Sequence, residues 1–216
     1  MAERRRYSTT LRSEQTALTR RRILDAAGTL FAANGYLGTT VAAVAAAADV
    51  SVQTVYNVVG NKAALLKNVY DVTIAGDDEP ISIADRPEAQ AVETAATAEE
   101  SLRAYAALAR LLGGRTFALL TMLLAQADSG DEDLRAFVET TERQRRIGNE
   151  GTVRHVADSF GLRAGMTVEE GVDVLWVLTS PEVTDRLIRR LGWSWERYER
   201  WMGQAMCDLL LGPGRG

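Results

Sequence analysis

Two side-chain amides four residues apart, Gln53 and Asn57, are the groups in this sequence best suited to chemistry with another molecule. Residues four apart on a helix share a face, and each amide both donates and accepts, which matches the edges of base pairs in a major groove. Val52 and Thr54 lie in the same N-terminal turn and can bring methyl groups to thymine. Lys62 sits in the first turn of a helix capped by Asn61, at the positive end of the macrodipole, where a cation is a poor choice for helix stability. A phosphate would remove that conflict.

Such groups need short helices set at an angle to position them, and residues 39–66 supply them. Thr40 can cap a helix whose Val41, Val44, Ala45 and Ala48 recur at helical spacing, the positions between being small. Asp49, which tolerates the left-handed backbone of a sharp turn, breaks the pattern with Val50. Ser51 then caps a second helix, Val52 to Val59, closed by Gly60. This is a helix-turn-helix, and the amides stand on its second helix.

The preceding helix carries Arg22, Ile23, Leu24, Ala26, Ala27, Leu30, Phe31 and Gly35. With Thr40, Val41, Val44, Ala45, Ala48, Val50, Ser51, Thr54, Tyr56, Lys62, Leu65 and Leu66, it resembles the DNA-binding domain of the TetR family of one-component transcriptional regulators. The resemblance covers about the first third of the chain. It departs at Asp49, where Gly is usual, and at Val58 and Val59, where an aromatic or His followed by Phe is usual. The first change is tolerable; the second removes a phosphate or sugar contact, and the third lightens a core contact. Operator choice is affected more than DNA binding. The resemblance implies that Gln53, Thr54 and Asn57, with Val52, read bases. Thr40, Tyr56, Lys62 and an Arg of the first helix, Arg22 foremost, would hold phosphates.

The charge is divided to match. The chain is −4 overall, but residues 1–70 carry nine basic against four acidic side chains, a net +5, which leaves −9 on the remainder. A basic end on an acidic body is the footprint of a protein that meets phosphates at one end only. Residues 1–16, with Arg4, Arg5, Arg6 and Arg12, read as a flexible basic arm, either solvated or ordered along a minor groove. With 46% apolar residues the 216-residue chain can bury a sizeable core, and no apolar run was expected to approach the ~20 residues of a membrane span. A cytoplasmic protein with no membrane partner is the expectation.

The DNA-binding domain is expected over 17–75, a Pro-containing acidic linker over 76–97 with a short helix after Pro87, and an all-α effector-binding and dimerisation domain over 98–212. Three capping-box spacings, Thr97 with Glu100, Ser129 with Glu132 and Thr167 with Glu170, announce helix starts. Gly113 and Gly114 are expected to break the first of these helices, leaving a second over Thr116 to Ala127 that is apolar on nearly every side. A long polar-faced helix should follow over about Asp131 to Phe160, and three more over Val168 to Thr179, Pro181 to Leu191 and Trp195 to Leu211. The last helices offer more apolar face than one small domain needs, so Leu175, Tyr198, Trp201, Met202, Ala205 and Leu209 are candidate dimer contacts. Residues 174–198 also resemble C-terminal domains of TetR regulators, in which two helices of each protomer form a four-helix interface.

Enzyme chemistry finds no support. Thr152 stands where a carboxylate-bridged metal motif would need Glu before His155, and there is no phosphate-binding glycine loop, nucleophile elbow or cysteine pair. His155 reads as a surface or satisfied core histidine. Cys207 reads as buried and inert, or as able to pair with its copy near a dimer axis. Neither a cofactor nor a metal is expected. Tyr105, Thr121, Met122, Gln126, Asn149 and Trp176 mix apolar wall with a few polar groups, as a site for a small apolar or amphipathic effector would. The reading is a homodimeric, ligand-responsive repressor on an inverted-repeat operator of double-stranded DNA. A DNA-binding regulator without effector stays open, as does a helical binder or enzyme with a vestigial helix-turn-helix.

Overall fold

The computed structural model describes residues 2–212, with side chains from Glu14 onward. The side chains of Arg4, Arg5, Arg6 and Arg12 lie outside the described residues. Their backbone forms the first turns of α1 (Ala2–Gly38). There follow α2 (Val41–Ala47), α3 (Val52–Val58), α4 (Lys62–Ala75), α5 (Pro87–Glu93), α6 (Ala98–Leu124), α7 (Glu132–Ser159), α8 (Val168–Leu178), α9 (Pro181–Thr184) and α10 (Trp195–Leu210). No strand occurs among the described residues, so the all-α class holds.

The compact units do not follow chain order. One comprises residues 1–73 with 122–137, and the other residues 74–121 with 138–216. The first unit is built on Ile23, Ala27, Phe31, Val44, Val55, Leu65 and Leu66, all fully buried, and it is completed from mid-chain by Leu123 and Leu134. Phe137 adds an edge-to-face contact with Tyr70 at 5.4 Å. The 76–97 stretch is no free linker. Val92 of α5 is buried in the core of the second unit, and its carbonyl accepts from the Ser101 hydroxyl at 2.9 Å.

Helix starts obey local chemistry with two amendments. Thr167 and Glu170 form a complete capping box on α8, and Thr97 accepts from the Glu100 N–H. Glu100, however, turns back to the Ala96 N–H rather than to Thr97. At α7 the expected Ser129 cap is displaced by Asp131, whose carboxylate accepts from the Leu134 N–H at 2.9 Å. An anion at that position interacts better with the macrodipole than a hydroxyl does.

The expected break at Gly113 and Gly114 does not occur, and α6 runs straight through both. Each glycine in a helix costs about 1 kcal/mol relative to alanine, too little to end a helix whose apolar residues are packed on either side. Because it is unbroken, the stretch 98–129 is long and apolar enough by length and composition to cross a bilayer, a test that the core helix of a soluble protein also passes. A second correction concerns its C-terminal half. Phe117, Leu119, Leu120 and Met122 are only half-buried, and Ala118 is exposed, so this part of α6 is no enclosed central helix. The expected helix over 181–191 is short α9 followed by a wider π turn, Asp185–Arg190, in which Arg189 and Arg190 both close on the buried Asp185 carboxylate.

Candidate nucleic-acid interface

The helix-turn-helix is assembled by caps and one left-handed residue. The Thr40 hydroxyl accepts from the Ala43 N–H, and the Ser51 hydroxyl from the Thr54 N–H at 3.0 Å. Asp49 takes φ of 53°, the left-handed backbone for which Asp is suited, and α3 leaves α2 at 100°. Val55 faces the core and is fully buried, which fixes the opposite face of α3 outward.

That outer face carries the expected reading groups. Val52 is 42% and Tyr56 50% exposed, and Gln53 and Asn57 are exposed beside them. The Gln53 Nε2 donates to Asn57 Oδ1 at 2.9 Å, so the two amides form one rigidified unit. Each retains donor or acceptor capacity for a base edge. Thr54 is half-buried, its hydroxyl 2.7 Å from that of Ser51, and Thr40 is exposed at the start of α2.

Two candidate phosphate ligands have a structural task that sequence reasoning missed. Arg22 donates to the Ala48 carbonyl at 2.6 Å, closing the C-terminal end of α2. The Lys62 Nζ lies 4.2 Å from the centroid of the Tyr36 ring and 3.5 Å from the Leu37 carbonyl. The conflict between Lys62 and the macrodipole is thus relieved from within by a cation–π contact and a helix-end carbonyl, without a phosphate. Burial lowers the pKa of Lys62, with Asp131 and Asp133 acting in the opposite sense. Burial also pushes the Tyr36 hydroxyl up to about 12, helped by the same two carboxylates.

Beside this lysine, α1 breaks at Gly35, with φ 72° and ψ 174°. The Gln126 Oε1 accepts from the Leu37 N–H at 3.2 Å, and its amide nitrogen occupies the space a Cβ on Gly35 would need. Gln126 therefore supports the break in α1.

Of the effector candidates, Tyr105 and Asn149 meet. The Tyr105 hydroxyl donates to Asn149 Oδ1 at 2.5 Å, both side chains being buried, and burial raises the tyrosine pKa. Trp176 is partly exposed, its indole N–H on Glu142 and its ring under the Arg145 guanidinium. Thr121 and Met122 are half-buried on α6. Among the candidate dimer contacts, Leu175, Tyr198 and Met202 are buried within the protomer, Tyr198 donating to the Leu178 carbonyl at 3.0 Å. All three side chains belong to the core of their own protomer. Trp201, Ala205 and Leu209, each four after the last, lie half-buried to exposed along α10, with Val177 and Leu191 exposed nearby in sequence to the other helix ends. Cys207 is buried, which raises its thiol pKa, and His155 lies edge-on to Phe160.

Residues 23–69 match the family model of bacterial regulatory proteins, tetR family. No curated protein matches the chain. Among solved structures, FadR from Bacillus subtilis in complex with stearoyl-CoA is 18% identical with a TM-score of 0.66, the alignment covering 90% of this chain and 99% of that one. The SmeT–triclosan complex is 17% identical with a TM-score of 0.70, covering 91% and 93%. AibR in complex with isovaleryl coenzyme A and operator DNA is 20% identical with a TM-score of 0.56, covering 91% and 100%. At these identities the likeness is one of fold.

Proposed function

We propose, for a chain whose DNA-binding domain places it in the TetR family of bacterial regulatory proteins, that it acts as a ligand-responsive repressor, a homodimer on an inverted-repeat operator. It is a DNA-binding transcriptional regulator and not an enzyme. The observation that carries the finer reading is the linked amide pair of Gln53 and Asn57, held outward by the buried Val55 on a helix capped at its start. A dimer would present two such helices to successive major grooves roughly 34 Å apart, which requires a symmetric site. The basic N-terminal part supports phosphate contact, with Thr40 and Tyr56 exposed for it and Arg22 and Lys62 offering charge in addition to their internal bonds.

The apolar row of Trp201, Ala205 and Leu209 on α10 supports the dimer. A small apolar or amphipathic effector is supported by the half-buried apolar side chains of α6 and by the relatives above, whose structures hold acyl-CoA or triclosan. Effector binding must favour one spacing of the two reading helices by free energy for DNA to be released. A soluble cytoplasmic protein fits this role, α6 being part of a helical body with charged Arg103 and Arg115 on its exposed side.

The test is selection of bound duplexes from a random pool followed by two substitutions. Gln53→Ala should cost ~1–3 kcal/mol on the selected site and relax preference at one base position per half-site. Lys62→Ala should weaken all sequences alike and reduce the slope of log K against log salt by ~1. Because Lys62 also holds Tyr36 and Leu37, its loss should lower thermal stability too, whereas Gln53→Ala should not. Equal loss of sequence preference in both variants would overturn the assignment.

A further inference from the structure

Buried polar groups are almost always hydrogen-bonded, and those that are not need an explanation. Among the described residues the side chain of Asn149 is fully buried, yet its Nδ2 has no partner. Its Oδ1 already accepts from the Tyr105 hydroxyl, so the unanswered group is the amide nitrogen, a donor. One helical turn earlier on the same face of α7, the Nε of Arg145 is also buried and without a partner. The rest of that guanidinium is fixed: Nη1 donates to the Trp176 carbonyl at 2.5 Å and to the Thr179 hydroxyl at 3.1 Å, and Nη2 to the Glu142 carboxylate. An Nε held this way cannot turn to find another acceptor.

Two pre-oriented, unanswered donors on one helix face call for an acceptor. Charge decides which kind. The Glu142 carboxylate already balances Arg145, and Asn149 and Tyr105 are neutral, so a bound anion would be left without a counter-charge in a buried position, which is strongly unfavourable. A neutral carbonyl oxygen would answer the donors without adding charge. Tyr105 belongs to a predominantly apolar core cluster that also holds Leu102, Ala106, Leu108, Val153 and Val156, so the remainder of the ligand should be apolar.

We infer that Asn149, with Arg145 behind it and Tyr105 orienting it, is the polar anchor of the effector site and selects ligands with a neutral carbonyl on an apolar body over free carboxylates. The inference rests on the proposed effector reading and narrows it to a ligand class. Tyr105 acts through Asn149 and is a positioning residue.

Decanamide and sodium decanoate, of equal chain length, separate the possibilities when titrated by calorimetry into the full-length protein, alone and bound to its selected operator. The expected result is that decanamide binds and weakens operator binding while decanoate binds at least ~10-fold more weakly, the loss of about one charge-balanced hydrogen bond. The double variant Tyr105→Phe, Asn149→Leu removes both partners, so it should melt no lower than the parent in the absence of ligand and should lose at least ~10-fold in decanamide affinity. Rescue by Asn149→Gln of part of that affinity is expected, since the donor is restored. Decanamide binding equally to parent and double variant would overturn the anchor while leaving an effector site in place. Tighter binding of decanoate would overturn the choice of a neutral ligand, and a double variant that melts well below the parent would make the pair structural. If neither compound binds a parent that still holds its operator, both this inference and the effector reading fail for carbonyl ligands.

Discussion

Replacing Gly35 by Ala should lower the stability of the DNA-binding unit by about 2–4 kcal/mol. Two causes act together. The backbone at Gly35 combines φ 72° with ψ 174°, a region that residues with a Cβ enter only at a cost of about 1–3 kcal/mol. The new Cβ would also stand 2.1 Å from the Gln126 amide nitrogen. That amide is the end of a flexible side chain and can swing away, but its bond to the Leu37 N–H would then be lost, at about 1 kcal/mol. Thermal melting should shift down by roughly 10–30 °C for a unit of this size. Gln126→Ala separates the causes: combined with Gly35→Ala it removes the overlap and leaves the backbone strain, so the double variant should melt between Gln126→Ala and a protein with both defects counted in full. A Gly35→Ala protein with an unchanged melt would refute the account. Gly38→Ala is the control, since its φ is not left-handed and the nearest side-chain atom would be Asn34 Cβ at 3.3 Å.

Leu209→Glu should dissociate the proposed dimer and reduce operator affinity about 10²–10³-fold. Each protomer would then hold one half-site without the effective concentration its partner supplies. Leu209 is 41% exposed in the protomer, so a carboxylate there is tolerated by a single chain. Buried in an apolar interface without a partner it is not. Sedimentation should report a monomer with an ordinary melting temperature. Met202→Ala provides the contrast, because Met202 is fully buried in its own protomer and its truncation should cost about 2–5 kcal/mol of fold stability. A dimeric Leu209→Glu protein with parental operator affinity would place the interface elsewhere.

What could be read from the sequence was what neighbours in sequence decide. The caps at Thr40, Ser51, Asn61 and Thr167 and the turn at Asp49 depend on residues two to four apart, and each takes the form its chemistry dictates. Contacts across the chain had no such local signal. Lys62 looked like a cation in need of a phosphate, because Tyr36 and Leu37, some 25 residues earlier, gave no hint that they would receive it. Gln126 looked like a polar group on a pocket wall, and its partner lies 89 residues away. An apolar stripe also does not say which side of a domain it covers. Tyr198 and Met202 share α10 with Trp201, Ala205 and Leu209, yet the first two turn inward and the others do not. Asn149 is legible as a polar candidate for an effector site, but nothing in the sequence joins it to the Arg145 guanidinium one helical turn earlier. Their lack of partners is a property of the folded state alone.

The DNA-binding unit borrows Leu123, Leu134 and Phe137 from the middle of the chain, and this bears on how the protein is made. When the first 75 residues have left the ribosome, the helix-turn-helix is fully translated but still lacks three apolar side chains of its core. It acquires them only after more than 60 further residues have emerged. A nascent chain that ends before Phe137 therefore lacks part of the core beneath its reading helix.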